Sequence, residues 1–586
     1  MTECQKYHYD FVVVGGGMSG VCAAIAAARR GVKTALIHDR PVLGGNASSE
    51  IRMHICGADH HMLVPNARET GILEEILLEN KRRNPEMVYP IFDSVLWEKV
   101  RYQENLTLYL NTHMTEVLCN DDRIEAVYAN QLTTEKTFRI SGDLFLDATG
   151  DGVLGSKAGA EYRIGRESSS RYGESLAPEK EDPYTMGNSL MFKARDMGHE
   201  VPFVKPFWAN TYTEEQLRLR DHSDITSGYW WIELGGGERD VISHGEELRD
   251  ELLKAVFGVW DHIKNGGEHG AGRMELEWVG FLPGKRESRR LIGDYVLTEK
   301  DCRENTRFED SVAYGGWPMD IHTVEGFLNE NEVPTVWNQV NGIYSIPYRC
   351  LYSKNIRNLF LGGRAISCSH VAFSSTRVMG TCAVVGQAVG TAAFLAVKKN
   401  LTPRELLGCV GELQQELLKD DCYIPFAVNR DPADWGRQAS VSATHHVPGW
   451  EPEKVVNGVS RSTEEESNCW RAPIEDSPSL LLTLPGKTLI REIRLTLDSN
   501  LSREITPSIN ENVLSRQKSG PPPELLKEYE VDILSEGKVV EHIAANSQGQ
   551  RLQRLFLNGT EGDAVRIKAI STYGSREAAI FEMRIY

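Results

Sequence analysis

Basic charge is scarce in this chain. Lys and Arg total 65 against 83 Asp and Glu, a net charge of −18 over 586 residues. Binding to nucleic acid or to an anionic membrane requires basic patches that answer phosphate, so neither partner is expected. No C-x-x-C pair occurs, and the eleven cysteines stand singly. That spacing argues against an iron–sulfur cluster, a redox dithiol and a zinc ribbon, and no metal is expected. The thiols are expected to be mostly reduced and buried. No uninterrupted apolar stretch reads as long enough to span a bilayer. The start, Met1-Thr-Glu-Cys-Gln-Lys-Tyr-His8, lacks the basic segment and apolar core of a signal peptide, so the chain reads as cytoplasmic.

Glycine, by contrast, is placed with purpose. Gly15, Gly16, Gly17 and Gly20 follow the apolar run Phe11 to Val14 and open an alanine-rich helix, Val21 to Arg30, after which Lys33 to Ile37 reads as a second strand. This strand–turn–helix context is what a dinucleotide-binding loop requires. Gly15 permits the tight turn, Gly17 lets backbone approach a pyrophosphate, and Gly20 lets the helix pack against the strand. The helix start, with Ser19 in its first turn, offers free N–H groups and a positive dipole end to phosphate. At this point the cofactor is open between NAD and FAD. No second strand–GxGxxG–helix unit follows; Gly235-Gly236-Gly237 runs into charged residues. A built-in NAD(P)H domain is therefore not expected.

Three further segments narrow the choice: Leu43-Gly44-Gly45-Asn46-Ala-Ser; Asp147-Ala148-Thr149-Gly150-Asp151-Gly; and Gly362-Gly363-Arg364 with Ser375-Thr-Arg377-Val-Met379-Gly380-Thr381. With these motifs the chain resembles the two-domain FAD proteins that include fumarate reductases and p-hydroxybenzoate hydroxylase. It looks closest to bacterial FAD-dependent oxidoreductases that share L-G-G-N-A-S, D-A-T-G-D-G and G-R…S-x-R-V-M. The resemblance covers about the first 425 residues. It implies that FAD is held by the first glycine loop, the Gly44-Gly45-Asn46 turn, the Ala148–Asp151 turn, Gly363-Arg364 and the helix start at Met379–Thr381. The family usually has Glu at the end of the second strand to hold the adenosine ribose. Here His38 and then Asp39 stand there, and either is a candidate; Asp39 falls nineteen residues after Gly20, close to the spacing of about 20 expected of a ribose acid.

FAD supplies hydride chemistry, and the protein must supply orientation and a group that manages a proton. Histidine is the usual such group near neutral pH. His370 matches a recurrent histidine between the G-R and S-x-R-V elements and is the first candidate, with a structural role orienting Arg377 or the flavin as the competing reading. His54, after the Leu43–Ser48 turn, is the second. Arg52 and Arg377 are candidate clamps for a carboxylate or for developing negative charge, against a plain reading as salt bridges or phosphate contacts. Lys285-Arg286-Glu287-Ser288-Arg289-Arg290 is the most basic run; it reads first as a solvated or interdomain ion-pair segment and second as an anion-recognition element. Tyr229-Trp230-Trp231 and Trp317-Pro-Met-Asp320-Ile-His322 combine aromatics with polar groups and read first as core, second as substrate contacts.

The expected fold is α/β: a Rossmann-like FAD-binding domain built from residues 1–164 and 349–430, an inserted α+β substrate or cap domain over 165–348, and an all-β jelly-roll sandwich over 435–586. Short alternating strands at Leu480–Leu484, Ile493–Leu497, Tyr529–Leu534, Val565–Ala569 and Ile580–Ile585 carry the last expectation. The segments Ala439–Ala443, Lys454–Gly458 and Asn468–Arg471 resemble the opening of a discoidin-like, galactose-binding-type module, as Phe581–Tyr586 resembles its last strand. Such modules often bind glycans, and a purely structural module is the equal alternative. The leading function is dehydrogenation of a CH–OH in a carbohydrate or related polar small molecule. The alternatives are a redox-neutral oxidation–elimination on a glycan, and a glycan-binding protein with a vestigial flavin site. The electron acceptor and the oligomeric state, a homo-oligomer included, stay open.

Overall fold

The computed structural model describes residues 4–463 and 466–586; the first three residues of the N-terminal segment read above lie outside them. The chain forms two compact units. One comprises residues 1–57, 87–410 and 506–516, the other residues 58–86, 411–505 and 517–586.

The first unit is built on a seven-stranded sheet. Strands Leu106–Tyr109, Thr34–Ile37, Gln5–Val14, Lys136–Asp147, Arg123–Gln131 and Thr112–Asn120 lie in that order, with Leu359–Leu361 added to Lys136–Asp147. Its centre is parallel: Val14 lies beside Ile37 on one side and Asp147 on the other. Phe11–Val14 and Thr34–Ile37 are buried along their whole length, as expected where both faces of a parallel sheet are covered. Leu359–Leu361 pairs in parallel with Phe145–Asp147, so the sheet is completed only after the long excursion that follows Asp147.

One helix covers the sheet, and a second packs on the first backbone to backbone. Met18–Arg29 packs against Met379–Lys399, where a Cβ on Gly386 or Gly390 would collide with the carbonyls of Ser19 and Ala23. Glycines at i and i+4 share a helix face, and here that face must be bare. Helix Met379–Lys399 corrects one expectation. At 21 residues and a mean hydropathy of 1.6 it is long and apolar enough to cross a membrane, yet 89% of that window is buried within the protein. Its Thr, Gln and Gly residues interrupt the apolar run, but its Val, Ala, Leu and Phe residues keep the mean high.

Residues 162–347 carry small two- and three-stranded sheets and a core of their own. Phe192, Tyr229, Trp231, Leu248, Val256 and Trp260 are buried together; Tyr229 and Trp231 stack at 4.8 Å, and Trp231 donates its indole N–H to the Asp221 carbonyl. These two aromatics are core.

The second unit holds a seven-stranded, wholly antiparallel sheet in the order Trp470–Pro473, Glu577–Ile585, Ser479–Leu497, Leu552–Thr572, Leu526–Ser535, Lys538–Asn546, with Ser440–Ala443 on Ser479–Leu497. The strands expected at Leu480–Leu484 and Ile493–Leu497 are one strand, Ser479–Leu497, whose register against Leu552–Thr572 shifts between Thr483 and Thr488. Leu484-Pro485-Gly486-Lys487 lies at that irregularity, the kind of place where a strand accepts proline. Residues 58–86 join this unit because Arg68 bonds Glu74 at 2.7 Å and the Asn500 carbonyl at 3.1 Å, while Ser499 donates to Glu74. In return, Thr506–Arg516 belongs to the first unit: the Thr506 hydroxyl accepts from the Ile55 N–H at 2.9 Å, and Lys193 pairs with Glu511 at 3.0 Å.

Candidate active site

The first glycine loop has the shape its sequence demands. Gly15 sits at φ +111° against the Ala148 carbonyl, and Gly20 lies over the Gly15 carbonyl; neither tolerates a Cβ. Gly17 is the helix N-cap at φ −69°, and a Cβ there would meet nothing within 4 Å. No side chain caps the N–H groups that follow. His38 braces the loop: its Nδ1 accepts from the Gly16 N–H at 3.0 Å and its Nε2 donates to the Val42 carbonyl at 3.0 Å. Burial lowers its pKa, against the pull of Asp39, which keeps the imidazole neutral as those two bonds require. Asp39, next along, is half exposed.

The other motifs converge on this loop. Gly44, at φ +107°, donates its N–H to the Gly16 carbonyl at 2.8 Å, and a Cβ on Gly45 would press on Gly17. Gly363 donates its N–H to the Ser19 hydroxyl at 2.8 Å. Asp147, at the end of its strand, accepts from the Thr149 N–H and hydroxyl and from the Gly155 N–H. The Thr149 hydroxyl in turn accepts from the Val153 N–H, and Gly150, at φ +80°, lies against the Arg364 guanidinium. Asp151 accepts from Lys285 at 2.7 Å, Arg364 at 2.9 Å and Ser288 at 2.9 Å. Burial works against its ionisation, but the two cations hold its carboxyl well below the ordinary range. Arg364 and Asn46 both donate to the Lys285 carbonyl at 3.1 Å. Met379, Gly380 and Thr381 open their helix, where the Gly380 N–H is taken by the Cys56 carbonyl.

A dinucleotide flavin fits these residues. The space over Gly17 is open, and Ser48 Oγ, Thr381 Oγ1 and Arg364 Nε are buried without a hydrogen-bond partner. Buried polar atoms of that kind cost free energy unless something answers them.

His370 is the first residue of helix His370–Thr376 and is 4% exposed. Its N–H donates to Glu167 at 2.9 Å, and its Nδ1 lies 3.0 Å from Glu287 Oε1. Burial alone would raise the Glu287 carboxyl, but His370 and Arg290 bring it below the ordinary value. Glu287 is thus an acceptor, Nδ1 is the donor, and a neutral His370 carries its lone pair on Nε2. Glu287 also takes Arg290, which is fully buried and bonds Glu167 as well. A second buried chain runs from Arg286 through Glu233, His322 and Asp320 to Arg377. Burial opposes charge on Glu233 and His322, yet the Glu233 carboxyl falls to about 2 beside Arg286 and His322, and His322, between two carboxylates, is raised. Arg377 also lies 3.0 Å from His322 Nε2, and its Nε is buried without a partner. Arg52, at φ +62°, makes no ion pair among the described residues; its guanidinium lies 4.4 Å from the Trp278 ring centre and its Nε donates to the Ser49 carbonyl. His54 is half-buried two residues further on.

The run Lys285–Arg290 is accordingly interior: Lys285, Arg286, Glu287, Ser288 and Arg290 each answer a buried partner. Sequence reasoning singled out the run but not Glu287, because a glutamate among arginines reads as a local ion pair. Its partner His370 is 83 residues away.

A family model described as FAD dependent oxidoreductase matches residues 10–417. The chain belongs to this family. It is a FAD-dependent oxidoreductase enzyme, and membership implies FAD as its cofactor. Among curated proteins, 43 residues are 46% identical to a soluble pyridine nucleotide transhydrogenase of Marinobacter nauticus, covering 7% of this chain and 9% of that protein. The chain thus spans a small fraction of the curated relative it matches. Solved structures similar to part of it include the lectin domain of lectinolysin complexed with Lewis B antigen (14% identical, 26% of this chain and 96% of that one, TM-score 0.21). A fucose binding module of Streptococcus pneumoniae (8%, 27% and 99%, TM-score 0.21) and the family 32 CBM from C. perfringens NanJ in complex with galactose (14%, 26% and 96%, TM-score 0.19) are others.

Proposed function

We propose that this FAD-dependent oxidoreductase, of the L-G-G-N-A-S / D-A-T-G-D-G branch, dehydrogenates a CH–OH group of a carbohydrate or related polar small molecule, with His370 as the base. The observation that carries the reading is the Glu287–His370 pair, which pins the proton on Nδ1 and leaves Nε2 to accept one. FAD supplies the hydride acceptor when bound. The Gly15–Gly20 loop would hold its pyrophosphate and Asp39 its ribose, since both nitrogens of His38 are engaged; Gly44–Asn46, Ala148–Asp151, Gly363–Arg364 and Met379–Thr381 complete the cradle, without a covalent link. His370 Nε2 takes the hydroxyl proton, and Glu287 stabilises the resulting imidazolium. Arg52 is the better clamp for a substrate anion, because Arg377 is already tied to Asp320 and His322.

The carbohydrate class is supported by the sequence resemblance of the second unit to a discoidin-like sandwich, which its antiparallel sheet accommodates. The partner is a small molecule or glycan, not nucleic acid, and the electron acceptor is external. A cytoplasmic location is supported by eleven free cysteines, as in a reducing compartment.

Anaerobic bleaching of the flavin against a panel of sugars and polyols tests the reading. His370→Ala should keep the flavin spectrum and slow bleaching by about 10²–10⁴, with Glu287→Gln slowed in the same direction. Bleaching at the wild-type rate in both variants would remove His370 from the reaction. Turnover that consumes no acceptor would move the reading to redox-neutral elimination, and failure of every sugar would remove the carbohydrate class.

A further inference from the structure

Four side chains of the first unit, none of them part of the glycine motifs or the two buried ion chains, converge on one point. Glu214 is the first residue of the short helix Glu214–Leu217, fixed there by a capping box on Thr213. His222 follows in the next loop. His262 begins a single π turn, His262–Gly266, at the end of helix Gly245–Asp261, and His269 lies in the loop beyond. One ligand atom from each lies within 4.8 Å of all the others. Glu214 Oε2 is 3.0 Å from His262 Nε2, 3.5 Å from His222 Nε2 and 3.8 Å from His269 Nε2, and the two nitrogens of His262 and His269 are 3.2 Å apart. Ligands at about 2.0–2.1 Å around a tetrahedral ion stand roughly 3.3 Å from one another. The observed separations bracket that edge.

The protonation states agree with this geometry. His222 Nδ1 lies 2.6 Å from the Arg220 carbonyl, which can only accept. Nδ1 therefore carries the proton, and a neutral His222 turns a lone pair on Nε2 toward the Glu214 carboxylate. A lone pair facing a carboxylate is repulsive unless a cation stands between them. Three protonated rings would crowd like charges, since the ring centres are only 4.9–5.4 Å apart. His222 and His262 are buried while Glu214 is exposed, so an ion can enter from solvent and meet three preset imidazoles.

We propose that Glu214, His222, His262 and His269 bind one divalent transition-metal ion, zinc in the first instance, as a structural clamp. Three imidazoles and one carboxylate suit zinc and its neighbours rather than magnesium or calcium, which take oxygen ligands. Four protein ligands leave no open position, the mark of a structural rather than a catalytic site. The clamp has something to hold. Leu217, Ile263 and Ala271, each close in sequence to a ligand, are buried in one core with Trp231 and Trp260, so the ion ties together three chain segments that share that core. The expectation of no metal came from the absence of paired cysteines; these ligands lie 8, 40 and 7 residues apart and form no local motif.

The test uses the full-length holoprotein. After incubation with zinc and dialysis, elemental analysis should find one zinc per chain. Cobalt(II) added to chelator-treated protein should give the intense visible bands of tetrahedral coordination. His269→Ala and Glu214→Ala should each weaken cobalt binding at least about tenfold, no less than loss of a supporting outer-shell contact costs, while His446→Ala, exposed in the other unit, should not. Glu214 is exposed, so its variant decides the matter if His269→Ala fails to fold. Absence of stoichiometric zinc with no tetrahedral cobalt spectrum, or binding unchanged in Glu214→Ala, would overturn the proposal. None of these readouts depends on flavin or turnover, so they stand apart from the proposed dehydrogenase activity.

Discussion

Gly17 and Gly20 are three residues apart and fail in different ways. A Cβ on Gly20 meets the Gly15 carbonyl, whereas a Cβ on Gly17 meets no protein atom within 4 Å and its φ of −69° suits any residue. Gly17→Val is therefore expected to fold, to melt near the temperature of flavin-free wild type and to purify without flavin, because the side chain fills the room the pyrophosphate needs. Gly20→Ala is expected to fold poorly whether or not FAD is supplied. Full flavin content in folded Gly17→Val, read from the visible spectrum per chain, would reassign the loop. At this scale the sequence was a good guide to glycines and a poor one to acids. The turn positions follow from backbone sterics within a few residues. The partners of His370 and Asp151 come from segments 83 and 134 residues away.

At the scale of elements, the two small-residue helices and the first two strands were legible because burial on every side writes itself as continuous apolar or small residues. The allotment of residues 58–86 was not. Helix Ile72–Arg83 reads as amphipathic like any surface helix, and it is bonds such as Ser499 to Glu74 and Gln550 to the Glu75 carbonyl that place it in the second unit. The same segment contains a pH sensor of stability. Glu69 is wholly buried, and burial together with Asp59 lifts its pKa from 4.5 to about 8. The folded state thus binds its proton more tightly than the unfolded one. Its contribution is complete below about pH 4.5 and is lost as pH rises through about 8. Between about pH 6 and pH 8.5 the second unit should lose on the order of 2 kcal/mol, seen by calorimetry as a falling transition temperature. Glu69→Gln should flatten that slope; an unchanged slope would show that Glu69 ionises without cost.

For the whole molecule, three buried polar atoms on the flavin motifs that lack partners, Ser48 Oγ, Thr381 Oγ1 and Arg364 Nε, predict a dependence of stability on cofactor. Ligand that binds only the folded state stabilises it by mass action. Purified protein is expected to carry one FAD per chain. Acid precipitation should release the yellow chromophore into the supernatant with the mass of FAD, and the flavin-free protein should melt at a lower temperature. Flavin left in the pellet would indicate a covalent link and contradict the cradle described above.

Local sterics and periodicity determined, from the sequence alone, that a glycine turn joins strand to helix near Gly15 and that short alternating strands fill the C-terminal part. Each of these depends on residues close together in the chain. The tertiary structure alone decided which charges are buried and what answers them: Glu287 on His370, the ion chain from Arg286 to Arg377, and the convergence of Glu214 with three histidines. Such pairings are set by burial and by the long-range closure of loops, and a charged residue looks the same in sequence whether it faces water or another charge.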